Sequence, residues 1–487
     1  MNNNTNPVII WFRDDLRLSD QPALRAAVDA GAPVLCIYIF DEENPGLRPL
    51  GGASRWWLHY SLDALGARIK KAGGALHVLT GKAGELVPQI AIASDAQAVY
   101  WTRRYGKAEI AIDTQIKQDL QAREIEARSF NGQLLFEPWE LKTGAETPFK
   151  VFTPFWRAAM RQPEPAPPLA AVTKLKSAGW PAKAPARSSL GDLELLSSRP
   201  DWAGGLRETW TPGETGAQQR LTDFLDGPIN EYKADRDRPA EHVTSCLSPH
   251  LRFGEISPRQ IWHSVAQARE AGSVTEANTA KFLSEVGWRE FSYSLLFHNP
   301  DLATKNFNPA FDTFPWKTPD PAHLKAWQAG RTGVPIVDAG MRELWQTGTM
   351  HNRVRMIVAS FLIKNLLVDW REGERWFWDT LCDADPASNS ASWQWVAGSG
   401  ADAAPYFRIF NPVLQGEKFD GDGEYVRKYV PKLKSLPNKF IHKPWEAPPD
   451  ILAKASVVTG ETYPAPIVDL KSSRDRALSA YKQMNRN

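Results

Sequence analysis

The chain has 487 residues, with 58 Lys or Arg against 56 Asp or Glu, so its formal net charge at pH 7 is only +2. This balance excludes a strong whole-molecule attraction to nucleic acid and leaves only a local basic face, while the length predicts two or three domains. No run of about 18 uncharged apolar residues occurs, and the start MNNNTNP lacks the basic and apolar regions of a secretion signal, so we expect a cytoplasmic protein without a membrane partner.

The N-terminal part alternates short apolar runs with amphipathic stretches. The runs VIIWF (8–12), VLCIYIF (34–40), ALHVL (75–79) and AVYW (98–101) predict strands, and stretches such as SRWWLHYSLDALGARIKKAG predict the helices between them. Apolar strands separated by helices indicate a doubly wound parallel sheet, and hence an α/β domain. The turn after the first strand, WFRDDLRLSD, contains no GxGxxG, which argues against a nicotinamide dinucleotide at that helix start.

The pattern changes twice further along the chain. From 137 to 206, Pro-rich and Ala-rich stretches such as RQPEPAPPLAAV predict an interdomain connector. Beyond this, helical periodicity predicts an all-α domain. The predicted division is therefore 1–136, 137–206 and 207–487. In HNRVRMIVASFLIKNLLVDW the apolar residues recur at helical spacing and predict a buried stripe of Val354, Ile357, Val358, Phe361 and Leu362.

The first polar motif of the helical half is TSCLSP. It places Thr244, Ser245 and Ser248 just before a predicted helix, where hydroxyl groups and free backbone N–H groups can hold a phosphate. Ser and Thr before a helix are also ordinary caps. Both interpretations stay open on this motif alone.

The second motif is FLSEVGWREF. On a helix, Glu285, Trp288 and Arg289 share one face, so an acid, a flat ring and a guanidinium point the same way. Taken alone, the fragment fits a surface salt bridge beside a packed indole better than it fits a binding site.

The third motif is MHNRVRM, at the start of the apolar helix. Asn352 and Met356 are one turn apart, as are His351 and Arg355. Polar groups at such a position indicate the rim of a pocket. Helix capping and a solvated first turn would explain them too.

The fourth motif is CDADPASNSASWQW, which lacks clear helix or strand periodicity and is typical of a loop. Asp383 and Asp385 could accept hydrogen bonds from a ribose or a ring N–H, or pair with Arg355, and Asn389 could bind a heterocycle. No Ser-His-Asp set and no HExxH accompanies them, so the usual parts of hydrolysis and of metal chemistry are missing. The three cysteines are widely spaced, and we expect no metal site.

With these motifs in view, the chain resembles the DNA photolyase/cryptochrome family, most closely its bacterial branch that repairs cyclobutane pyrimidine dimers (CPDs). The resemblance covers nearly the whole chain, from WFRDDLRLSDQPAL through SRWWLHYSL and SFNGQLLFEPW to WREGERWFW, WQWVAGSGADAAPYFRIFNP and QGEKFD. It implies an α/β antenna-binding domain, a helical FAD-binding and catalytic domain, and a monomer that binds DNA containing pyrimidine dimers.

The resemblance also implies a flavin site. Asn389 matches the asparagine that faces the reactive edge of the isoalloxazine, whereas Cys246 is a departure within the TSxLSP motif. The positions that match flavin contacts are Tyr232, Thr244, Ser245, Leu247, Ser248, Arg289, Arg355, Asp383, Asp385 and Asn389.

The implied reaction is repair, in which blue-light-excited reduced FAD transfers an electron to a dimer flipped out of the duplex. Glu285 and Asn352 would hydrogen-bond the pyrimidine edges, and Arg353 would grip a phosphate. Two indoles would stack on the lesion beside an apolar wall. These apolar contacts are Trp288, Trp395 and Met356, of which Trp288, like Glu285, would also contact DNA.

Three tryptophans match the family's chain for photoreduction of the flavin, namely Trp393, Trp370 and Trp316. The chain holds 20 Trp, and each of these three could equally be ordinary core.

Two points stay open at this level. A cryptochrome-type blue-light photoreceptor is the alternative to repair, although Asn352 stands where relatives that repair (6-4) photoproducts carry histidine, and signalling members commonly replace Asn389. For the antenna, Glu109 lies near the acid that holds a folate in pterin-binding relatives, but Ala108 replaces the preceding asparagine. We therefore expect 5,10-methenyltetrahydrofolate, with a deazaflavin or an empty site as alternatives.

Overall fold

A computed structural model describes residues 6–197, 199–403 and 407–484. The strands, in chain order, are β1 Val8–Phe12, β2 Val34–Phe40, β3 Leu76–Thr80, β4 Ala98–Thr102 and β5 Glu126–Phe130. The α-helices are α1 Pro22–Asp29, α2 Gly52–Lys71, α3 Ala83–Ala93, α4 Lys107–Gln121, α5 Phe152–Ala159, α6 Gly204–Thr209, α7 Glu214–Leu225, α8 Tyr232–Asp235, α9 Ser248–Arg252, α10 Pro258–Glu270, α11 Glu276–His298, α12 Pro321–Gln328, α13 Pro335–Thr347, α14 Asn352–Ser360, α15 Trp370–Thr380, α16 Ser388–Ala397, α17 Pro412–Phe419, α18 Glu424–Tyr429, α19 Asn438–Ile441, α20 Pro449–Lys454 and α21 Leu470–Met484.

The described residues form two compact units. The first runs to Ala203 and also includes Trp210–Asn230 and Ser245–Pro300. The second consists of Gly204–Thr209, Glu231–Thr244 and the residues from Asp301 onwards. The predicted fold class is confirmed, since a parallel α/β sheet lies in one unit and the other is helical.

The sheet of the first unit has the order β3-β2-β1-β4-β5, and all its strand pairs are parallel. Strands β1, β2 and β4 are buried at every residue because helices cover both faces, which is why their sequences are continuous apolar runs. The four predicted strands are confirmed within one residue at each end. Strand β5, EARSF, was not predicted; it is a half-exposed edge strand of mixed polarity.

Polar residues meet where β1 and β4 end side by side. Arg13 donates to both oxygens of Asp113, at 2.5 and 3.0 Å, and also to the carbonyl of Thr102. The indole of Trp101 donates to Asp113 at 2.9 Å. The FRDD turn after β1 therefore carries an ion pair at the point where other doubly wound folds carry glycines.

In its described residues, the predicted connector contains α5, a 3-10 turn at Gly191–Leu193 and the first residues of α6, with extended or irregular chain between them. Up to Ala203 it belongs to the first compact unit, because its backbone bonds to the sheet: Val34 N–H donates to Lys176 O at 2.7 Å, and Ser188 N–H to Val78 O at 2.8 Å. Compactness and function are different criteria, so the functional boundaries 1–136, 137–206 and 207–487 stay a prediction.

The second unit is built around α13 to α16 and α18. The predicted stripe is confirmed, as all five of its apolar side chains are buried in one core. Helix α14 ends at Ser360, and the chain continues as one π-helical turn, Phe361–Asn365. Residues 485–487, which the predicted helical domain includes, lie outside the described part of the chain.

The start of α13 is fixed by a fully buried carboxylate. Asp338 accepts from Thr332 N–H at 2.6 Å, from the Thr332 hydroxyl at 2.6 Å, from Gly333 N–H at 3.1 Å and from Tyr463 OH at 2.7 Å. Both carboxylate oxygens are used, so this group anchors two distant segments to the helix.

Within residues 6–197, 199–403 and 407–484, no helix is both long and apolar enough to span a bilayer.

Candidate functional site

The CDADPASNSASWQW motif is half loop and half helix, so its interpretation as a loop is wrong from Ser388 onwards. Asp385 explains the change, because its Oδ1 accepts from Ala387 N–H at 3.0 Å and from Ser388 N–H at 2.7 Å. It thereby satisfies the first amides of α16, and Gly398, with φ of 96°, ends the helix. Asn389 and the two indoles of the motif consequently lie on one short helix.

The orientation of the Asn389 amide is set by Glu374 of α15. The amide nitrogen donates to the Glu374 side chain at 2.8 Å and to the Glu374 carbonyl at 3.1 Å. Ser390 donates to the same carboxylate at 3.2 Å. Because both acceptors hold the NH2 group, the amide oxygen of Asn389 points away from Glu374 and can accept from another group.

Arg355 links the CDADPASN loop to the start of α14. Its Nη2 donates to both oxygens of Asp383, at 2.9 and 3.1 Å, and its Nε donates to Met350 O at 2.7 Å. Of the two roles that the sequence left open for Asp383, the structure shows the pairing with Arg355. The bidentate bond fixes the relative position of the two segments.

The start of α14 presents polar groups, as the MHNRVRM motif predicts. Asn352 is exposed and Met356 is half-buried. Arg353 pairs with Asp237 at 2.7 Å and stacks over the ring of Phe419. His351 caps the helix, since its Nδ1 accepts from Arg353 N–H at 3.3 Å.

The three tryptophans of the predicted electron-transfer chain differ in exposure. Trp393 and Trp370 are buried, whereas Trp316 is half-buried and packs against Phe314 at 4.3 Å. The Trp393 ring lies against Gly373, where a Cβ atom would collide with it. Two of the three are therefore core residues, and only Trp316 reaches the surface.

Trp395 lies at the other end of α16. Its indole N–H donates to Asp402 O at 3.2 Å, and it lines a small cavity together with Asp402, Arg408 and Phe410. The indole is half-buried, so part of it remains accessible to a ligand.

The residues of FLSEVGWREF lie on α11 in the first unit. Glu285 accepts from Lys281 at 2.9 Å, one turn away. Trp288 stacks face to face on Phe152 at 3.9 Å between ring centroids. Arg289 donates to Gln133 O at 2.7 Å. The helical placement is confirmed, and each side chain also has a partner that a structural role would explain.

The TSCLSP motif adopts a turn followed by the short helix α9. Cys246 has φ of 51° and Leu247 is buried. The two residues that follow the motif have structural partners: His250 pairs with the buried Glu255, and Arg252 pairs with Asp14 at 2.7 Å. Tyr232, assigned to the flavin by resemblance, is buried in the second unit.

The predicted antenna residue Glu109 lies in the first turn of α4. Its carboxylate sits against the backbone of Gly106, where a Cβ atom would collide with it. A carboxylate at this end of a helix is stabilised by the helix dipole, which accounts for its position without an antenna.

Four buried or partly buried side chains were missed by sequence reasoning: Glu374, Lys364, Glu343 and Glu290. Lys364 lies in the π-helical turn, fully buried, and donates to Ala397 O at 2.6 Å. Burial lowers the pKa of its amine well below the usual value. A charged residue inside an apolar stripe was the only signal that could have marked it.

Glu290 is a buried carboxylate of α11. It accepts from Leu135 N–H at 2.8 Å and Phe136 N–H at 3.2 Å. Burial is the main cause that raises its pKa to about 7, against the opposing effect of Arg289.

Comparisons with known proteins show which family this chain resembles. Residues 8–173 match the family model described as DNA photolyase, and residues 282–483 match that described as FAD binding domain of DNA photolyase. The chain is 54% identical over 481 residues to a deoxyribodipyrimidine photo-lyase of Agrobacterium fabrum, covering 99% of this chain and 98% of that protein. It is 38% identical over 491 residues to Cryptochrome-1 of Arabidopsis thaliana, covering 98% of this chain and 70% of that protein.

A solved structure shows the same similarity. The crystal structure of a bacterial class III photolyase from Agrobacterium tumefaciens superposes with a TM-score of 0.95 at 52% identity, covering 100% of this chain and 99% of that one.

Proposed function

The chain belongs to the DNA photolyase/cryptochrome family, and from that premise we propose that it is a deoxyribodipyrimidine photo-lyase. Its reaction is the light-driven splitting of a cyclobutane pyrimidine dimer in DNA into two pyrimidines. The observation that carries the proposal is the amide of Asn389, whose NH2 group Glu374 binds twice. Its oxygen is thereby directed to accept a hydrogen bond from a ring N–H.

The residues present fit FAD by the chemistry of their polar groups. Asn389 offers an oriented acceptor, and the adjoining loop offers two carboxylates within a segment that Arg355 holds rigid. When bound, FAD supplies the electron that blue light makes available to the dimer. The proposed cofactor residues are Tyr232, Thr244, Ser245, Leu247, Ser248, Arg289, Arg355, Asp383, Asp385 and Asn389.

The same proposal assigns the lesion contacts. Asn352 is exposed at a helix start and can donate to a pyrimidine oxygen, and Arg353 beside it can reach a phosphate. Charge that arrives on the dimer is stabilised by such preorganised donors. The remaining proposed contacts are Glu285, Trp288, Trp395 and Met356.

Two buried indoles, Trp393 and Trp370, together with the half-buried Trp316 support a role of these residues in light-driven reduction of the flavin. Replacing Trp370 with Phe keeps an aromatic core residue but removes the better electron donor. We expect flavin reduction under blue light to slow at least about tenfold, as one step of electron transfer is lost, while the protein still folds and binds flavin at a melting temperature lowered by the lost volume and the lost bond to Asn306. An unchanged reduction rate would assign Trp370 to the core alone.

Finer assignments rest on the resemblance. The antenna is proposed to be 5,10-methenyltetrahydrofolate near Glu109, with a deazaflavin or an empty site as alternatives. We also propose a cytoplasmic monomer that associates with the nucleoid when bound to DNA. Since the net charge is near zero, DNA affinity comes from a local basic surface and falls steeply with salt.

One experiment tests the proposal. The reduced protein is illuminated with blue light in the presence of an oligonucleotide that carries one thymine dimer, and restored thymine absorbance is followed. Recovery that requires light, with none in the dark, is the expected result. Flavin binding without recovery would overturn repair and favour a blue-light photoreceptor, the alternative that the identity to Cryptochrome-1 supports.

A further inference from the structure

The turn that precedes Asn352 is hydrogen-bonded to a carboxylate of a different helix. Glu343 of α13 accepts from His351 N–H at 3.1 Å, and the hydroxyl of Tyr425, from α18, donates to it as well. Both donors converge on the same oxygen, Oε2. Tyr425 is 1% exposed, so its hydroxyl cannot leave the carboxylate without a cost in unsatisfied polar surface.

His351 is the residue that this arrangement fixes. Its main-chain N–H is bound by Glu343, and its ring accepts from Arg353 N–H. Burial is the main cause that lowers the pKa of the ring to about 4, so the ring is neutral at physiological pH and keeps the lone pair that caps α14. The position of this one residue therefore sets the start of the helix that carries Asn352.

A second anchor holds the same turn from the other side. Arg355 donates to Met350 O at 2.7 Å and to both carboxylate oxygens of Asp383. With both anchors the turn is fixed at Met350 and at His351. Without the bond to Glu343, the turn keeps its bond to Arg355 at Met350, and His351 is free to shift.

We propose that Glu343 and Tyr425 are positioning residues for lesion recognition: by fixing the His351 amide they hold Asn352 where it meets the pyrimidine edge. This inference rests on the proposed function. Neither residue is assigned to contact DNA or FAD. A displacement of about 1 Å in a group that contacts the substrate is enough to weaken its interaction severely.

Helix α13 supplies a matched control. Asp338 and Tyr463 form a second buried carboxylate–tyrosine pair, at 2.7 Å, five residues along the same helix from Glu343. That pair bonds to residues 332 and 333 and makes no bond to the turn at 349–352. Tyr463→Phe therefore removes a comparable hydroxyl without touching the turn.

The test compares Tyr425→Phe with Tyr463→Phe by measuring Kd in the dark for an oligonucleotide with one thymine dimer and for its undamaged counterpart. We expect Tyr425→Phe to reduce the preference for the dimer by up to about tenfold, the upper range for one hydrogen bond between the Asn352 amide and a neutral pyrimidine, with unchanged binding of undamaged DNA. Tyr463→Phe should leave the preference as in the wild type. FAD absorbance and melting temperature report on folding in both.

Two further variants separate positioning from mere structure. Glu343→Gln keeps an oxygen for both donors and should retain the preference within about threefold, whereas Glu343→Ala should lose it. In an Asn352→Ala background, Tyr425→Phe should have no additional effect, because the residue through which it acts is gone.

The inference is overturned if Tyr425→Phe and Tyr463→Phe are indistinguishable, or if the effect of Tyr425→Phe is additive with that of Asn352→Ala. Failure of the proposed function looks different, because the wild type itself would then show no preference for the dimer and no light-driven recovery.

Discussion

The two ends of α13 carry the same chemical pair in two settings. At the first end, Asp338 is fully buried and accepts four hydrogen bonds, distributed over both oxygens. Towards the other end, Glu343 is only partly buried, and its two donors share one oxygen. The difference teaches that a buried carboxylate is not by itself a functional signal, since what matters is which segment its donors belong to. The donors of Asp338 belong to structural segments, and those of Glu343 include the turn before Asn352.

The largest expected effect is a loss of stability when Asp338, the carboxylate with four donors, is removed. Asp338→Ala leaves four buried donors without an acceptor and should cost about 3–5 kcal/mol, whereas Glu343→Ala should cost about 1–2 kcal/mol because it releases two donors rather than four. Thermal unfolding followed by circular dichroism measures both. Equal losses at the two positions would remove the distinction between them.

A third buried carboxylate, Glu290 of the first unit, should make the stability of the protein depend on pH. The pKa of Glu290 is raised from 4.5 to about 7, so its folded-state proton is lost as pH rises through that value, and stability falls between about pH 4.5 and 7. Glu290→Gln keeps an oxygen for the amides of Leu135 and Phe136 but cannot ionise. The wild type should therefore lose about 1–3 kcal/mol more than the variant between pH 5 and pH 8.

The control for this prediction is the melting temperature of both proteins at pH 5, where they should be similar. A parallel decline of the two with rising pH would assign the pH dependence to other groups, such as Asp420, whose pKa burial raises to about 6.

A smaller loss of stability is expected at the two tyrosines, and it should be the same for both. Tyr463→Phe and Tyr425→Phe each remove one hydrogen bond to a carboxylate, and each should lower stability by about 1 kcal/mol. Similar melting temperatures, combined with different discrimination between damaged and undamaged DNA, would show that the two pairs are equal in energy and unequal in function. If Tyr425→Phe alone were strongly destabilised, its effect on DNA would have to be assigned to folding.

The smallest expected effect concerns the orientation of Asn389. Glu374→Gln introduces an NH2 group that can donate to the Asn389 oxygen, so the amide can turn over at a cost below about 1 kcal/mol. Stability should barely change, while the rate of light-driven flavin reduction should shift about threefold because the ring N–H loses its acceptor. Glu372→Gln, which removes the same charge on the same helix at a residue paired with Arg375 instead of Asn389, is the control. A shift in stability without one in the rate would contradict the orienting role of Glu374.

Most of the architecture follows from local patterns. Strands β1, β2 and β4 are apolar throughout because they are buried on both faces, and the stripe on α14 has a clear helical period. Strand β5 could not be found this way, since an edge strand such as EARSF needs only its neighbour's hydrogen bonds.

The candidate site was only partly accessible from sequence. Helix α16 was missed because its buried face contains Asn389, Ser390 and Gln394, so no apolar period marks it. The partners of its residues come from other helices: Glu374 lies 15 residues from Asn389, and Tyr425 lies 82 residues from Glu343. Such pairs depend on tertiary packing, which no local pattern encodes.

One missing side chain also limits how this protein can be altered. Gly373 lies within α15, where exchange for alanine ordinarily strengthens a helix by about 1 kcal/mol. Here a methyl group would occupy space that the Trp393 ring already fills. Replacing this helical glycine to improve heat tolerance would therefore displace the Trp393 ring, so the usual gain in helix stability is not available at this position.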